Sequence, residues 1–224
     1  SVGEYWKDDL GTLKEYLESL EYTTDLFDVG LHFNFHEASV RGKDFDLRTI
    51  FDNTILMSDS MQAVSFVDNH DSQKGSALES QIESWFKPHA YAIILLAERG
   101  YPCLFYGDYY GVGGQESEHR WIIDQLLHVR KHYAYGGEID YFDDPDIVGI
   151  YRTGRENDLN TGCAAILSNN EDGEKVIEVG QNRTGQVWKE VTGSGFDNVV
   201  IDDSGFAAFK VKAGKISVWV PEEK

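Results

Sequence analysis

A short apolar run, Ala63-Val64-Ser65-Phe66-Val67, leads directly into four polar residues, Asp68-Asn69-His70-Asp71. At the end of a buried strand these two carboxylates, an amide and an imidazole can bind a polar ligand, move a proton and hold developing positive charge. One Asp after a strand is usually a turn former. Four polar residues together exceed what a turn requires, and parallel α/β folds gather their ligands at the carboxyl ends of strands. A second cluster, Val2-Gly3-Glu4-Tyr5-Trp6, repeats the pattern. Desolvation beside an indole raises a carboxyl pKa, which suits a general acid. The bland alternative is a surface Glu beside core aromatics. Carboxylates on two strand ends, with aromatics between them, suit glycoside hydrolysis: one protonates the leaving oxygen, and another attacks or stabilises an oxocarbenium-like centre. In retaining enzymes the two stand ~5–5.5 Å apart.

Other patterns carry less. His32 and His36, like His128 and His132, are spaced i, i+4, but Phe33 and Val129 stand where a zinc-binding HExxH motif needs Glu. Gly111-Val112-Gly113-Gly114 lacks the spacing of a nucleotide cradle. Asn182-Arg183-Thr184 is a glycosylation sequon with meaning only in a secreted eukaryotic protein. Cys103 and Cys163 lie in apolar runs and read as buried thiols.

The elements that must position these clusters fall into two regimes. Up to about Tyr135, short β-like runs alternate with amphipathic helical stretches. Asp8 or Asp9 caps a helix to about Leu20, and helices are predicted over 31–38, 46–53, 84–98 and 119–132. Strands are predicted at 26–29, 63–67 and 102–106. Such alternation argues for parallel strands with crossover helices, and leaves open whether the sheet is doubly wound or part of a barrel. After about Glu138, seven short strands are predicted at 147–152, 163–168, 174–179, 187–190, 199–201, 207–211 and 216–220. Turns such as Glu171-Asp172-Gly173 and Asp203-Ser204-Gly205 separate them, as in a small antiparallel sandwich. Gly136-Gly137 marks the boundary, giving domains of 1–137 and 138–224.

Charge narrows the partners. With 20 Lys+Arg against 39 Asp+Glu, the net charge is −19. Nucleic acid and anionic membranes are repelled by that field, whereas a neutral sugar is not. The longest apolar run, about Ala92 to Ala97, is too short to span a bilayer.

FVDNHDSQ resembles the region of glycoside hydrolase family 13 that ends the seventh barrel strand, and VGEYW the region that ends the fifth. The chain is most similar to bacterial liquefying-type α-amylases and their intracellular relatives. The similarity continues through FDVGLHFNFHEAS, WFKPHAYAIILLAERGYPCLFYGDYYG, YFDDPDIVG and the C-terminal strands. It implies an α/β partial (β/α)8 TIM barrel, from the end of strand 5 to helix 8, followed by an all-β Greek-key sandwich. It implies endo-hydrolysis of α-1,4-glucosidic bonds in starch, glycogen or maltodextrin by the retaining route. Glu4 matches the general acid/base, Asp71 the carboxylate that stabilises the transition state, His70 a substrate-binding His, and Trp6 an aromatic lining the cleft.

The resemblance also implies what lies elsewhere. The family nucleophile ends the fourth strand, upstream of Ser1, as do further substrate-binding residues and the inserted domain with the main calcium site. The chain is therefore expected to be an inactive fragment of its parent. Some relatives carry a further calcium between barrel and sandwich. Here it would take backbone carbonyls of Lys43 and Phe45 and side-chain oxygens of Asp146 and Asn169, with Asn169 replacing a carboxylate and so weakening the site. A half-barrel exposes two strand edges, so the expected partners are an α-glucan and either the upstream half of the barrel or a second copy of the chain. The rival functions are a non-catalytic carbohydrate-binding fragment, a structural or assembly module, and a transglycosylase of the same family. The compartment, bacterial cytoplasm or secretion, stays open.

Overall fold

Helices begin where the sequence supplies a side-chain cap. In the computed structural model, which describes residues 1–222, Asp9 accepts from the backbone N–H of Thr12 at 2.6 Å and opens helix α1 (Leu10–Ser19), whose Leu13 and Leu17 are buried. Asp28 does more. One carboxylate oxygen accepts from Leu31 N at 3.1 Å and caps α2 (Val29–Arg41). The other accepts from Leu56 N at 2.7 Å, in the short helix α3 (Ile55–Ser58). Asp28 is fully buried, and burial pushes its carboxyl above the usual carboxylate range against the pull of these backbone donors.

The first of two compact units comprises Ser1–Gly42, Thr49–Ile94 and Arg99–Arg120. Its centre is a parallel four-stranded sheet in chain order: β1 (Val2–Gly3), β2 (Asp25–Phe27), β3 (Ala63–Phe66) and β4 (Tyr101–Cys103). The register runs Gly3 to Leu26, Leu26 to Ala63 and Val64 to Tyr101. Each strand is followed by helix, as parallel pairing requires. β3 is buried at all four positions, as expected of a strand covered on both faces. Further helices are α4 (Lys87–Leu96) and the short α5 (Tyr106–Tyr110).

The helix predicted over 46–53 does not form; only a 3₁₀ turn, Leu47–Thr49, appears. Asp46 turns its carboxylate onto the backbone and guanidinium of Arg48, and Asn53 adopts φ 57°. These local side-chain bonds compete with helix propagation.

The second unit contains Lys43–Arg48, Leu95–Glu98 and residues 121–222. Gly136 and Gly137 lie inside it, and the backbone of Gly136, at φ 75°, packs so closely that a Cβ would stand 2.1 Å from the Gly154 carbonyl oxygen. Almost all of helix α6 (Arg120–His132) belongs here, and it buries Ile123, Leu126 and Val129. Its strands are β5 (Glu138–Tyr141), β6 (Ile147–Arg152), β7 (Cys163–Ser168), β8 (Gly173–Glu178), β9 (Val187–Glu190), β10 (Val199–Val200), β11 (Phe206–Val211) and β12 (Ile216–Pro221). Six of them form an antiparallel sheet in the order β10-β9-β12-β7-β6-β5, and β8 pairs with β11 in a second layer. The layers share a core built on Trp188, Phe209 and Trp219, with ring centroids 5.5 and 5.7 Å apart along that chain. β8 shows the alternation of a half-buried strand, with Lys175 and Ile177 in and Glu174, Val176 and Glu178 out.

Asp28→Ala removes a helix cap and strands the buried N–H of Leu56. The expected loss is about 2–3 kcal/mol, read as a lower urea midpoint for the first unit.

Candidate functional site

The two clusters picked out in the sequence meet at neighbouring strand ends. Glu4 follows β1 and Asn69 stands three residues past the end of β3, and Asn69 Nδ2 donates to Glu4 Oε1 at 3.4 Å. The other end of the same amide builds the loop: Asn69 Oδ1 accepts from the backbone N–H groups of Asp71 and Ser72, both at 2.9 Å. One side chain therefore touches the first carboxylate and fixes the backbone of the second. His70 Nε2 lies 3.5 Å from Asp71 Oδ2, and both side chains reach solvent. Glu4, His70 and Asp71 thus stand on an open ledge. The cleft of about 910 Å³ in this unit lies to one side, lined by Glu79, Lys87, Asp108, Glu118 and His119 among others, and none of the three contributes to it.

Trp6 is half-buried beside this ledge. Its ring packs on His32 (5.5 Å), Phe66 (6.0 Å) and Phe33 (6.2 Å). His32 is fully buried and stacks on Phe66 at 5.0 Å and 7°. Burial pulls its pKa below the usual histidine value, so the ring is neutral. Nδ1–H then donates to the Val67 carbonyl at 2.6 Å and Nε2 accepts from the Ser80 hydroxyl at 2.8 Å. His32 supports the floor under Trp6.

Under the loop lies a buried charge cluster that the sequence reading did not single out. Lys87 Nζ lies 2.9 Å from Asp68 Oδ2 and pairs with Asp108 Oδ1, and the three side chains are at most 6% exposed. Tyr91 OH donates to Asp108 Oδ2 at 2.7 Å. Asp68 Oδ1 accepts from Ser72 Oγ at 2.8 Å and from Ile82 N at 3.4 Å. Burial alone would lower the Lys87 pKa. The carboxylates of Asp108 and Asp68 outweigh it and raise the value, so the ammonium stays charged. Burial of Asp108 outweighs the pull of Lys87 and raises that carboxyl. Both directions follow from two acids sharing one base. Of its members only Asp68 stood out in the sequence, as the first carboxylate after the apolar run, and the structure turns it inward to Lys87.

Comparison with known proteins follows from this geometry. Over 98% of its length the chain is 42% identical to an α-amylase of Bacillus licheniformis. It is 44% identical, again over 98%, to a glucan 1,4-α-maltohexaosidase of Bacillus sp. strain 707. Over nearly its whole length the chain is thus similar to part of the α-amylases of glycoside hydrolase family 13. It spans 44% and 43% of the length of these two relatives. No family model matches it. A solved α-amylase from Geobacillus thermoleovorans, complexed with acarbose, superposes with a TM-score of 0.70 at 17% identity. It covers all of this chain and 53% of that one, and so shares the fold.

Of the residues expected to hold a further calcium, Phe45, Asp146 and Asn169 come together within the second unit. Asn169 turns Nδ2, not an oxygen, toward the Phe45 carbonyl and donates to it at 2.7 Å. Asp146 Oδ2 accepts from Asn170 Nδ2 at 3.1 Å.

Two tests follow. Lys87→Met leaves two carboxylates buried without a base, and a loss of about 3–5 kcal/mol is expected in urea unfolding, with partial recovery on adding Asp108→Asn. His32 has its pKa depressed by folding, so its contribution is complete above the unfolded value of about 6.5 and is lost as pH falls through the folded value. Stability should therefore drop from pH 7 to pH 5 more steeply in the native chain than in His32→Gln.

Proposed function

We propose that this chain supplies the acid/base side of an endo-acting α-1,4-glucan hydrolase that works with retention. Glu4 protonates the glycosidic oxygen as it leaves, then takes a proton from the water that releases the sugar. Asp71 stabilises the positive charge that develops at the anomeric carbon and holds sugar hydroxyls. His70 donates to the same sugar. Trp6, anchored on His32 and Phe66, offers a ring face against a pyranose.

The observation that carries this reading is the double role of Asn69. Its amide reaches Glu4 after β1 and accepts from the backbone of Asp71 after β3, and so links the two segments that carry these carboxylates. The names of the relatives, α-amylase and maltohexaosidase, support an α-glucan as substrate. The charge of −19 carries no penalty for a neutral polysaccharide.

The retaining route needs a nucleophilic carboxylate. On this reading it comes from the half of the barrel that the relatives possess and these 224 residues do not span. The four strands would be the fifth to eighth of that barrel. Among the described residues β1 pairs only with β2 and β4 only with β3, which supports rest-of-barrel pairing at both edges. The chain by itself is then inactive.

The test is reducing-end release from soluble starch, by the chain alone and by the chain co-expressed with the upstream half of the Bacillus licheniformis relative. No release alone and release by the pair are expected, with the α-anomer formed first. Glu4→Gln should slow the pair by about 10²–10⁴-fold. An unchanged rate in that variant would sink the assignment of Glu4. Tight glucan binding by the pair without any release would favour a binding role instead.

A further inference from the structure

Asn169 lies at a junction where several oxygen acceptors gather. Its neighbours are the carbonyl of Phe45, on the segment Lys43–Arg48, and the turn around Asp146. Asn169 N donates to the Asp146 carbonyl at 3.2 Å, and its side-chain amide donates to the Phe45 carbonyl at 2.7 Å. Asn169 and Phe45 are both buried, at 6% and 5% exposure. The same segment is tied a second time, where Leu47 N donates to the Pro145 carbonyl at 2.8 Å. Asp144 holds the turn from its own side, accepting from Asp146 N at 2.8 Å and Ile147 N at 3.1 Å. The side chains at the junction include Asp144, Asp146, Asn169 and Asn170, together with Arg48 of the tied segment, which pairs with Asp46 and is also attracted by Asp144.

A buried carbonyl beside further acceptors needs a source of positive charge. A divalent cation is one source and an amide N–H is another. We propose that the Asn169 amide fills this role here, so that the segment Lys43–Arg48 is held to the β-sheet unit without calcium. One oxygen in place of one nitrogen reverses the requirement. Asn169→Asp removes the donor and adds a carboxylate beside Asp146 and the Phe45 carbonyl, on the turn that Asp144 already holds, an oxygen set of the kind Ca²⁺ takes. The junction then becomes dependent on the ion it now does without.

The test is thermal melting of the chain, followed by the near-ultraviolet signal of Trp188 and Trp219 in the second unit, in EDTA and in millimolar calcium. The native chain should melt at the same temperature in both. Asn169→Asp should melt lower in EDTA, by on the order of 5 °C, and recover in calcium; adding Asp146→Asn should abolish the recovery. A calcium-induced rise in the native chain that disappears with Asp146→Asn would overturn the proposal. So would an Asn169→Asp variant that melts like the native chain in EDTA. Should that variant fail to fold, the native chain still decides. The side-chain amide protons of Asn169 in EDTA should be protected from exchange in the NMR spectrum, and exchange at the rate of a free amide would overturn the proposal.

Discussion

A buried ammonium between two carboxylates is the constraint on which the rest of the first unit depends. Lys87 begins α4, Asp68 lies two residues past β3, and Asp108 lies in α5, after β4. None of the three can be buried alone, because an isolated ion in a low-dielectric interior costs several kcal/mol. Together they lock the loop after β3 to the helix that follows it. The remaining oxygen of Asp68 reaches Ser72 and Ile82 and sets the loop's path. Charge pairing in the interior thus becomes geometry at the surface.

That geometry serves Asn69. Its side-chain carbonyl oxygen closes the turn that carries His70 and Asp71, and its nitrogen reaches Glu4. A neutral amide suits this place, because a carboxylate there would repel Glu4 and a lysine could not accept from the backbone. Beneath it, His32 joins the floor to the loop with both ring nitrogens, one to Val67 and one to Ser80. The exposed groups available for chemistry therefore rest on buried polar groups whose hydrogen bonds leave little freedom to move.

The second unit uses amides and aromatic rings for the same end. Trp188, Phe209 and Trp219 fill the space between two layers of strands. Arg183, buried in that unit, donates to the carbonyls of Thr153, Leu159 and Thr161 and so gathers three stretches of irregular chain. Asn169 does this for the segment Lys43–Arg48. In each case a planar nitrogen group meets backbone carbonyls that no strand ladder satisfies.

Much of this was legible from local pattern. The Asp9 cap, the leucines of α1, the apolar runs of β3, β6, β7 and β12 and the turn glycines report forces acting over a few residues, so composition and spacing found them. Glu4, Trp6, His70 and Asp71 were visible as polar clusters after apolar runs. Residues 46–53 misled because an apolar spacing there was overruled by the Asp46–Arg48 contact and by Leu47 bonding far along the chain to Pro145. The pairing of Lys87 with Asp68 and Asp108, the reach of Asn69 to Glu4, and the choice of nitrogen at Asn169 join residues 19 to 124 positions apart. Sequence by itself determined the elements with a strong apolar or periodic pattern and which residue types stand at strand ends. Tertiary structure decided which polar groups become partners, because hydrogen bonds and ion pairs depend on distances that only the folded chain brings within 3–4 Å.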